Sequence, residues 1–207
     1  IASANDFIVS ISEDADQTTK YLQAQAYAIR AYAYLLIAPA FQFNYETSKD
    51  KPCVPLVTPE TEDFTHNPRA TVGEVYEQIL SDLDFAIKNL EGYKRPSKMN
   101  IDQQVAFGLR ARANLAMGNW DAAAADAEAA AEGYIPASIA EVSVPTFYDI
   151  SEGDWIWGYD MTTEVAKANI YSTLDSWLRS FSGDGYAAAV QVNARINTLL
   201  YNKIPDT

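Results

Sequence analysis

The run from Gln103 to Tyr134, QQVAFGLRARANLAMGNWDAAAADAEAAAEGY, constrains the fold more than any other part of the chain. Val105, Leu109, Ala113, Ala116 and Met117 recur at three- and four-residue steps, which predicts an amphipathic helix with Arg110 and Arg112 beside its apolar stripe. Gly118-Asn119 ends that helix, because glycine takes up left-handed backbone without a steric penalty. Asn119 or Asp121 is placed to accept N–H groups at the start of a second helix. Trp120 is left to cap the turn, and the alanines that follow offer a seam for close helix packing.

This spacing fits the tetratricopeptide pattern, in which small residues face each other across a helical pair. Phe107, Ala111, Ala123 and Ala130 occupy the pattern positions, while Arg110 and Asn114 stand where Leu and Tyr are usual. Ala111 is expected opposite Ala123. The high helix propensity of alanine alone also accounts for the second helix. A second copy of the pattern strengthens the repeat reading, because Ile29-Arg-Ala-Tyr-Ala-Tyr-Leu35 matches Leu109-Arg-Ala-Arg-Ala-Asn-Leu115 at 80 residues' distance. Arg30 and Arg110 then fall at equivalent edges of two apolar stripes, where each is expected to pair with an acid or with carbonyls of a neighbouring element.

In chain order, Ile1 to Ser12 reads as the end of a helix whose beginning is missing, with Ala4, Ile8 and Ile11 at helical spacing. Asp14 to Thr19 is a polar linker. Lys20 to Ile37 is a helix with Leu22, Ala26, Ile29, Ala33 and Leu36 on one face, and Pro39 marks its end. Phe41 to Ala70 reads as a long irregular insertion carrying Pro52, Pro55, Pro59 and Pro68, a place where function is expected. Thr71 with Glu74 forms a capping box for a helix buried through Val75, Ile79, Leu83, Ala86, Ile87 and Leu90, and closed by Gly92. Beyond the organising hairpin, 142–150 and 154–160 read as short extended segments, with Trp155, Trp157 and Tyr159 alternating. Residues 164–186 read as loop and 187–201 as a helix with Val190, Ala194, Ile196 and Leu200 inward.

Several motifs together resemble the SusD/RagB family of outer-membrane nutrient-binding lipoproteins of Bacteroidetes. Ile29-Arg30-Ala31-Tyr32-Ala33-Tyr34 is similar to the family's LRAYAY helix, and Val54-Pro55-Leu56-Val57-Thr58 to its VPLVT turn. Pro68-Arg69-Ala70-Thr71-Val72, continued by Val75-Tyr76 and Asp82-Leu83, resembles PRATVxEVYxxIxxDLxxA, and Leu115 to Ala123 resembles LxxGNWxxA. Asp154 to Gly158 resembles the EVIWG strand and Leu200 to Asp206 the LxxxIPxTD segment. The resemblance implies a mainly α fold, of tetratricopeptide-like helical hairpins with long irregular loops and a few short strands. It implies one partial SusD-like domain over 1–207, with hairpins at about 20–90 (interrupted by a loop at 39–70) and 103–134, and a loop-rich segment at 135–207. It further implies a surface-exposed outer-membrane lipoprotein, whose lipid anchor is missing from this fragment, seated on a SusC-like TonB-dependent transporter and capturing oligosaccharide or another nutrient. Family members are usually more than twice this long. Cys53 follows no apolar signal segment and is not a lipobox cysteine.

The 207 residues, 48% of them apolar, suffice for a sizeable core. A formal charge of −13 argues against nucleic acid and anionic membrane surfaces, which select for clustered Lys and Arg. The longest apolar run, Ala31 to Phe41, is too short to span a bilayer. His66 and Cys53 are single residues of their kinds, so Cys/His zinc sites are excluded, and neither catalytic nor metal residues nor a cofactor are expected. The pairs Asp82/Asp84 and Glu152/Asp154 read as solvated charge rather than as the acid and base of a glycosidase.

Binding chemistry is better represented, because sugar rings stack their apolar faces on aromatic side chains while their hydroxyls bond to polar ones. Two clusters qualify: Phe41, Phe43 and Tyr45 with Gln42 and Asn44, and Trp177, Phe181 and Tyr186 with Arg179 and Asp184. Trp120, Phe107, Tyr76 and Phe85 are expected to be structural. A tetratricopeptide scaffold for protein partners and a glycoside hydrolase remain as alternatives. The scaffold leaves the proline-rich insertion unexplained, and the hydrolase needs two carboxylates converging on one cleft.

Overall fold

The computed structural model describes residues 1–61, 66–143, 150–153 and 155–160. Five helices of nine residues or more make up the frame, all in one compact unit, Ile1–Tyr159. They are α1 (Ala2–Ser10), α2 (Gln17–Phe41), α4 (Val72–Asn89), α5 (Gln103–Met117) and α6 (Trp120–Ala131). Single turns α3 (Tyr45–Ser48) and α7 (Ile139–Val142) and a two-stranded antiparallel ribbon, β1 (Pro52–Pro55) with β2 (Arg69–Thr71), complete the described elements. Each long helix packs on the next, and the core runs along the α2–α4–α5 seams through Tyr34, Val75, Ile79, Leu83, Leu90, Ile101, Val105 and Leu109.

The local signals explain most boundaries. Thr71 and Glu74 form the expected capping box: the Glu74 N–H donates to the Thr71 hydroxyl (3.2 Å) and the Thr71 N–H donates to the Glu74 carboxylate (2.7 Å). Gly118 ends α5 at φ +79°, where its N–H reaches the carbonyls of Asn114 and Leu115. Asn119, however, makes no side-chain cap for α6 and donates instead to Asn114 Oδ1 (3.2 Å). Along α5, Val105, Leu109 and Ala113 are buried as the periodicity predicts, but Ala116 is exposed and Met117 only half-buried, because the stripe outruns the neighbouring layer.

The first long helix departs most from expectation. It begins at Gln17, since Asp16 accepts from the Thr19 N–H (3.0 Å), and it runs through Pro39 to Phe41, the turn beyond the proline being closed by the Gln42 N–H on the Ala38 carbonyl (3.2 Å). Its buried face is also another one. Ala24, Ala28, Ala31, Tyr34, Leu35 and Ala38 point inward; of the expected face Ala26 is buried and Ala33 half-buried, whereas Leu22, Ile29 and Leu36 are exposed. Both sets recur at helical spacing; the small set admits the close approach of α4, whose Val75, Ile79 and Leu83 fill the seam.

The insertion is built rather than irregular. The Tyr34 hydroxyl accepts from the Val57 N–H (2.7 Å), Asn5 Nδ2 donates to the Val57 carbonyl (2.8 Å), and Asn67 Nδ2 donates to that of Leu56 (2.7 Å). Arg69 reaches back across the ribbon to the carbonyls of Cys53 (2.6 Å) and Pro52 (2.9 Å). Cys53 is fully buried beside Ala38, and burial pushes its thiol pKa up. Val142 closes the single turn α7 instead of opening an extended segment, and 155–160 follow an irregular path without strand pairing. Trp157 sets its ring edge against Tyr32 (5.1 Å) and donates to the Met99 carbonyl (3.1 Å). Gly158 leaves room for the Trp155 ring, which an added Cβ would meet at 2.5 Å and displace. The expected loop at 164–186 and helix at 187–201 lie outside the described residues.

Candidate functional site

Each helical pair carries an arginine lock, and the locks sort the charged residues before any site is considered. Arg30 of α2 forks onto Asp82 of α4 (2.8 and 2.6 Å), its third nitrogen donates to Asn5 Oδ1 (2.8 Å), and Gln78 donates to the same carboxylate (2.8 Å). Arg110 of α5 forks onto Asp126 of α6 (2.9 and 2.6 Å) and reaches Asp84 (2.6 Å), while Asn114 donates to Asp126 (3.0 Å). Both arginines therefore pair with acids, as the repeat predicts. Burial pushes the Asp82 pKa up, and the hydrogen bonds from Arg30 and Gln78 oppose the shift; the Asp126 carboxylate holds Arg110 above its ordinary value. Asp82 is thus not the solvated charge expected from sequence. It is sealed beneath Arg30, while Asp84 is exposed and tied to Arg110, so the two acids do not converge on a cleft.

The expected aromatic loop lies where α2 ends. Phe43 is 83% exposed and Phe41 also faces out, whereas Tyr45 is half-buried, edge-on to Tyr76 (5.2 Å). The loop is pinned at both ends: Gln42 Nε2 donates to the Pro52 carbonyl (3.1 Å), and Asn44 Oδ1 accepts from the Thr47 N–H (3.2 Å) and the Thr47 hydroxyl, capping α3. Phe43, Asn44 and Tyr45 line a depression of about 400 Å³ together with Pro39, Val72 and Tyr76. Trp177, Phe181, Tyr186, Arg179 and Asp184 lie outside the described residues.

Two further depressions continue from it in series. One, of about 420 Å³, shares Asn44 and Ala116 with the first and adds Glu46, Met117, Gly118 and Trp120. The next, of about 520 Å³, shares Leu115 and Trp120 and follows the alanine seam of α5 and α6 through Ala111, Ala123 and Ala127 to Ile156. Each falls within the ordinary size of small-molecule sites, about 300–1,000 Å³. Trp120, expected from sequence to be structural, is 67% exposed at the first position of α6, with its indole close to Gly118. The signal was available: past Asp121 the helix offers only alanines through Ala125, too small to cover an indole. Tyr76 is buried, and Phe85 and Phe107 are half-buried under Tyr27 and Arg110, in keeping with structural roles. Among the described residues no three His, Cys, Asp or Glu side chains cluster as a metal site would require, and no helix is long and apolar enough to cross a membrane.

Residues 1–115 match the sequence pattern of a SusD-like family described as starch-binding and associating with the outer membrane. Among solved structures, the chain is similar to a SusD-like carbohydrate-binding protein from Bacteroides vulgatus, with 28% identity and a TM-score of 0.71 over 80% of this chain and 36% of that one. It is also similar to SusD superfamily proteins from Bacteroides fragilis (29% identity, TM-score 0.57, 66% and 33% covered) and Bacteroides thetaiotaomicron (25%, 0.58, 67% and 32%). The chain therefore spans about a third of the length of these proteins. No curated protein matches the sequence.

Proposed function

The chain belongs to the SusD-like family, and on that premise we propose that the protein captures an oligosaccharide at the outer-membrane surface, holds it without cleaving it, and passes it to a SusC-like TonB-dependent transporter. The B. vulgatus protein named as carbohydrate-binding supports the ligand class. The observation that carries the reading is Phe43, a phenyl ring held out in solvent on a loop that hydrogen bonds fix at both ends. A large apolar ring on a preorganised surface loop loses little entropy when a sugar face stacks on it. In this reading Phe43 is the main platform, flanked by Phe41, Tyr45 and Asn44; Trp177, Phe181, Tyr186, Arg179 and Asp184 are proposed as sugar-binding residues on their own chemistry, since they lie outside the described residues. Outer-membrane lipoprotein attachment and the transporter partner belong to the same proposal. Capture without cleavage is favoured because Asp82 and Asp84 are each committed to an arginine on different sides of α4.

Calorimetric titration of the full-length protein with maltoheptaose and laminarihexaose tests the reading. At least one should bind, and Phe43→Ala should weaken it by about 1–3 kcal/mol, the range of base stacking on open aromatic platforms. Equal affinity in Phe43→Ala removes Phe43 from the site, and release of reducing ends from the bound glycan overturns capture without cleavage.

A further inference from the structure

We propose that the depression between the Asn44 turn and the end of α5 is a second sugar subsite, with Trp120 as its stacking platform and Asn44 and Glu46 as its hydroxyl readers, and that it takes a neutral pyranose ring rather than an acidic one. The proposal rests on the capture reading above and extends it to Trp120 and Glu46. An indole is among the most costly side chains to leave in water, yet Trp120 stands 67% exposed at the start of α6, two residues after the left-handed Gly118. Its ring passes close to that glycine, where a Cβ would stand 3.9 Å from Cζ2.

The polar groups complete the chemistry. Asn44 spends Oδ1 on capping α3, which fixes its amide, and Nδ2 has no partner among the described residues, leaving a donor on a residue that lines the same depression as the indole. Glu46 contributes carboxylate acceptors, and a sugar hydroxyl donating to a carboxylate makes a charge-assisted hydrogen bond. No Lys or Arg is among the described residues that line this depression. A uronate or sulfated ring would therefore meet Glu46 without a compensating cation, in a chain whose formal charge is −13. Because the depression shares Asn44 and Ala116 with the one beside Phe43, a single oligosaccharide laid along the surface reaches both platforms. Affinity should then rise with chain length.

The test is calorimetric titration of the full-length protein with maltose, maltoheptaose, laminarihexaose and heptagalacturonate. The expected result is tighter binding of a neutral oligosaccharide than of heptagalacturonate. Trp120→Ala should lower affinity for it by roughly 5- to 100-fold, and Trp120→Phe by much less. Should Trp120→Ala fold poorly, Glu46→Arg on the exposed turn α3 keeps the proposal open to refutation: it should weaken the neutral glycan and admit heptagalacturonate. Unchanged binding in Trp120→Ala or Glu46→Arg, with Phe43→Ala weakened, overturns the subsite alone. Tighter binding of heptagalacturonate by the parent overturns its preference for neutral rings. A parent protein that binds no neutral glycan overturns the capture reading and the subsite with it.

Discussion

The two helical pairs, α2 with α4 and α5 with α6, are built on one lock and differ in how deeply they enclose it. In each, an arginine of the first helix forks onto an aspartate of the second and lies over an aromatic ring three residues earlier, Tyr27 at 5.1 Å or Phe107 at 5.4 Å. In each, the remaining guanidinium nitrogen reaches back to the preceding helix, to Asn5 or to Asp84. The partners are 52 residues apart in the first pair and 16 in the second, the insertion having been spliced between the helices without disturbing their register. Side-chain exposure is 4% and 1% for Arg30 and Asp82, against 25% and 7% for Arg110 and Asp126. The first lock is closed over by α1, whose Asn5 takes the third guanidinium nitrogen, whereas in the second that nitrogen meets the exposed Asp84. Enclosure thus separates a lock whose two side chains are both sealed in the core from one whose arginine stays partly open to water.

The largest test of this contrast is removal of each arginine. Arg30→Met strands the Asp82 carboxylate in the core and should cost about 3–5 kcal/mol, whereas Arg110→Met leaves Asp84 in water and Asp126 with its bond from Asn114, and should cost less, about 1.5–3 kcal/mol. Denaturant unfolding of the two variants compares them directly, and equal losses would break the distinction.

The packing of the open pair is sharpened by its small residues. Ala111→Leu should overpack the α5–α6 seam by about 1–3 kcal/mol. At Gly108 an added Cβ would meet that of Ala130 at 3.5 Å, an ordinary contact, so Gly108→Ala should stabilise by up to about 1 kcal/mol. An unchanged melting temperature in Ala111→Leu would show that the seam is not close-packed.

The smallest contrast lies in the caps. Thr71→Ala should cost about 1 kcal/mol, because it dismantles the capping box of α4, whereas Asn119→Ala, at a position that caps nothing, should cost a few tenths. The Thr71 N–H holds the Glu74 pKa below its ordinary value. Its contribution is therefore complete above the unfolded value near about 4.3 and is lost as pH falls through the lower folded value. Glu74→Gln should flatten that part of the acid unfolding curve; an identical curve would sever Glu74 from the cap.

Sequence reasoning found the pairing of Arg30 and Arg110 with acids but not the identity of those acids. Asp82 read as solvated because a lone carboxylate on a helix gives no local sign that a helix from 52 residues away will cover it. The same limit misplaced the inner face of α2 and hid the exposure of Trp120. In the candidate site, Phe43 and Asn44 were legible as aromatic and amide residues on a loop, but their neighbourhood with Glu46 and Trp120 was not.

What the chain determines by itself is what short-range stereochemistry controls: the capping box at Thr71, the left-handed stop at Gly118, the helical periods and the repeat that sets Arg30 and Arg110 in register. The tertiary structure decides which of two equally periodic faces is buried, because that depends on the volume a neighbouring helix leaves, and alanines rather than Leu22, Ile29 and Leu36 admit α4 at close range. It also decides which aromatics meet water. Trp120 and Tyr76 are both large rings on helices, and only the packing of a partner, with Tyr45 set against Tyr76 and no aromatic ring set against Trp120 among the described residues, assigns one to the core and the other to the surface.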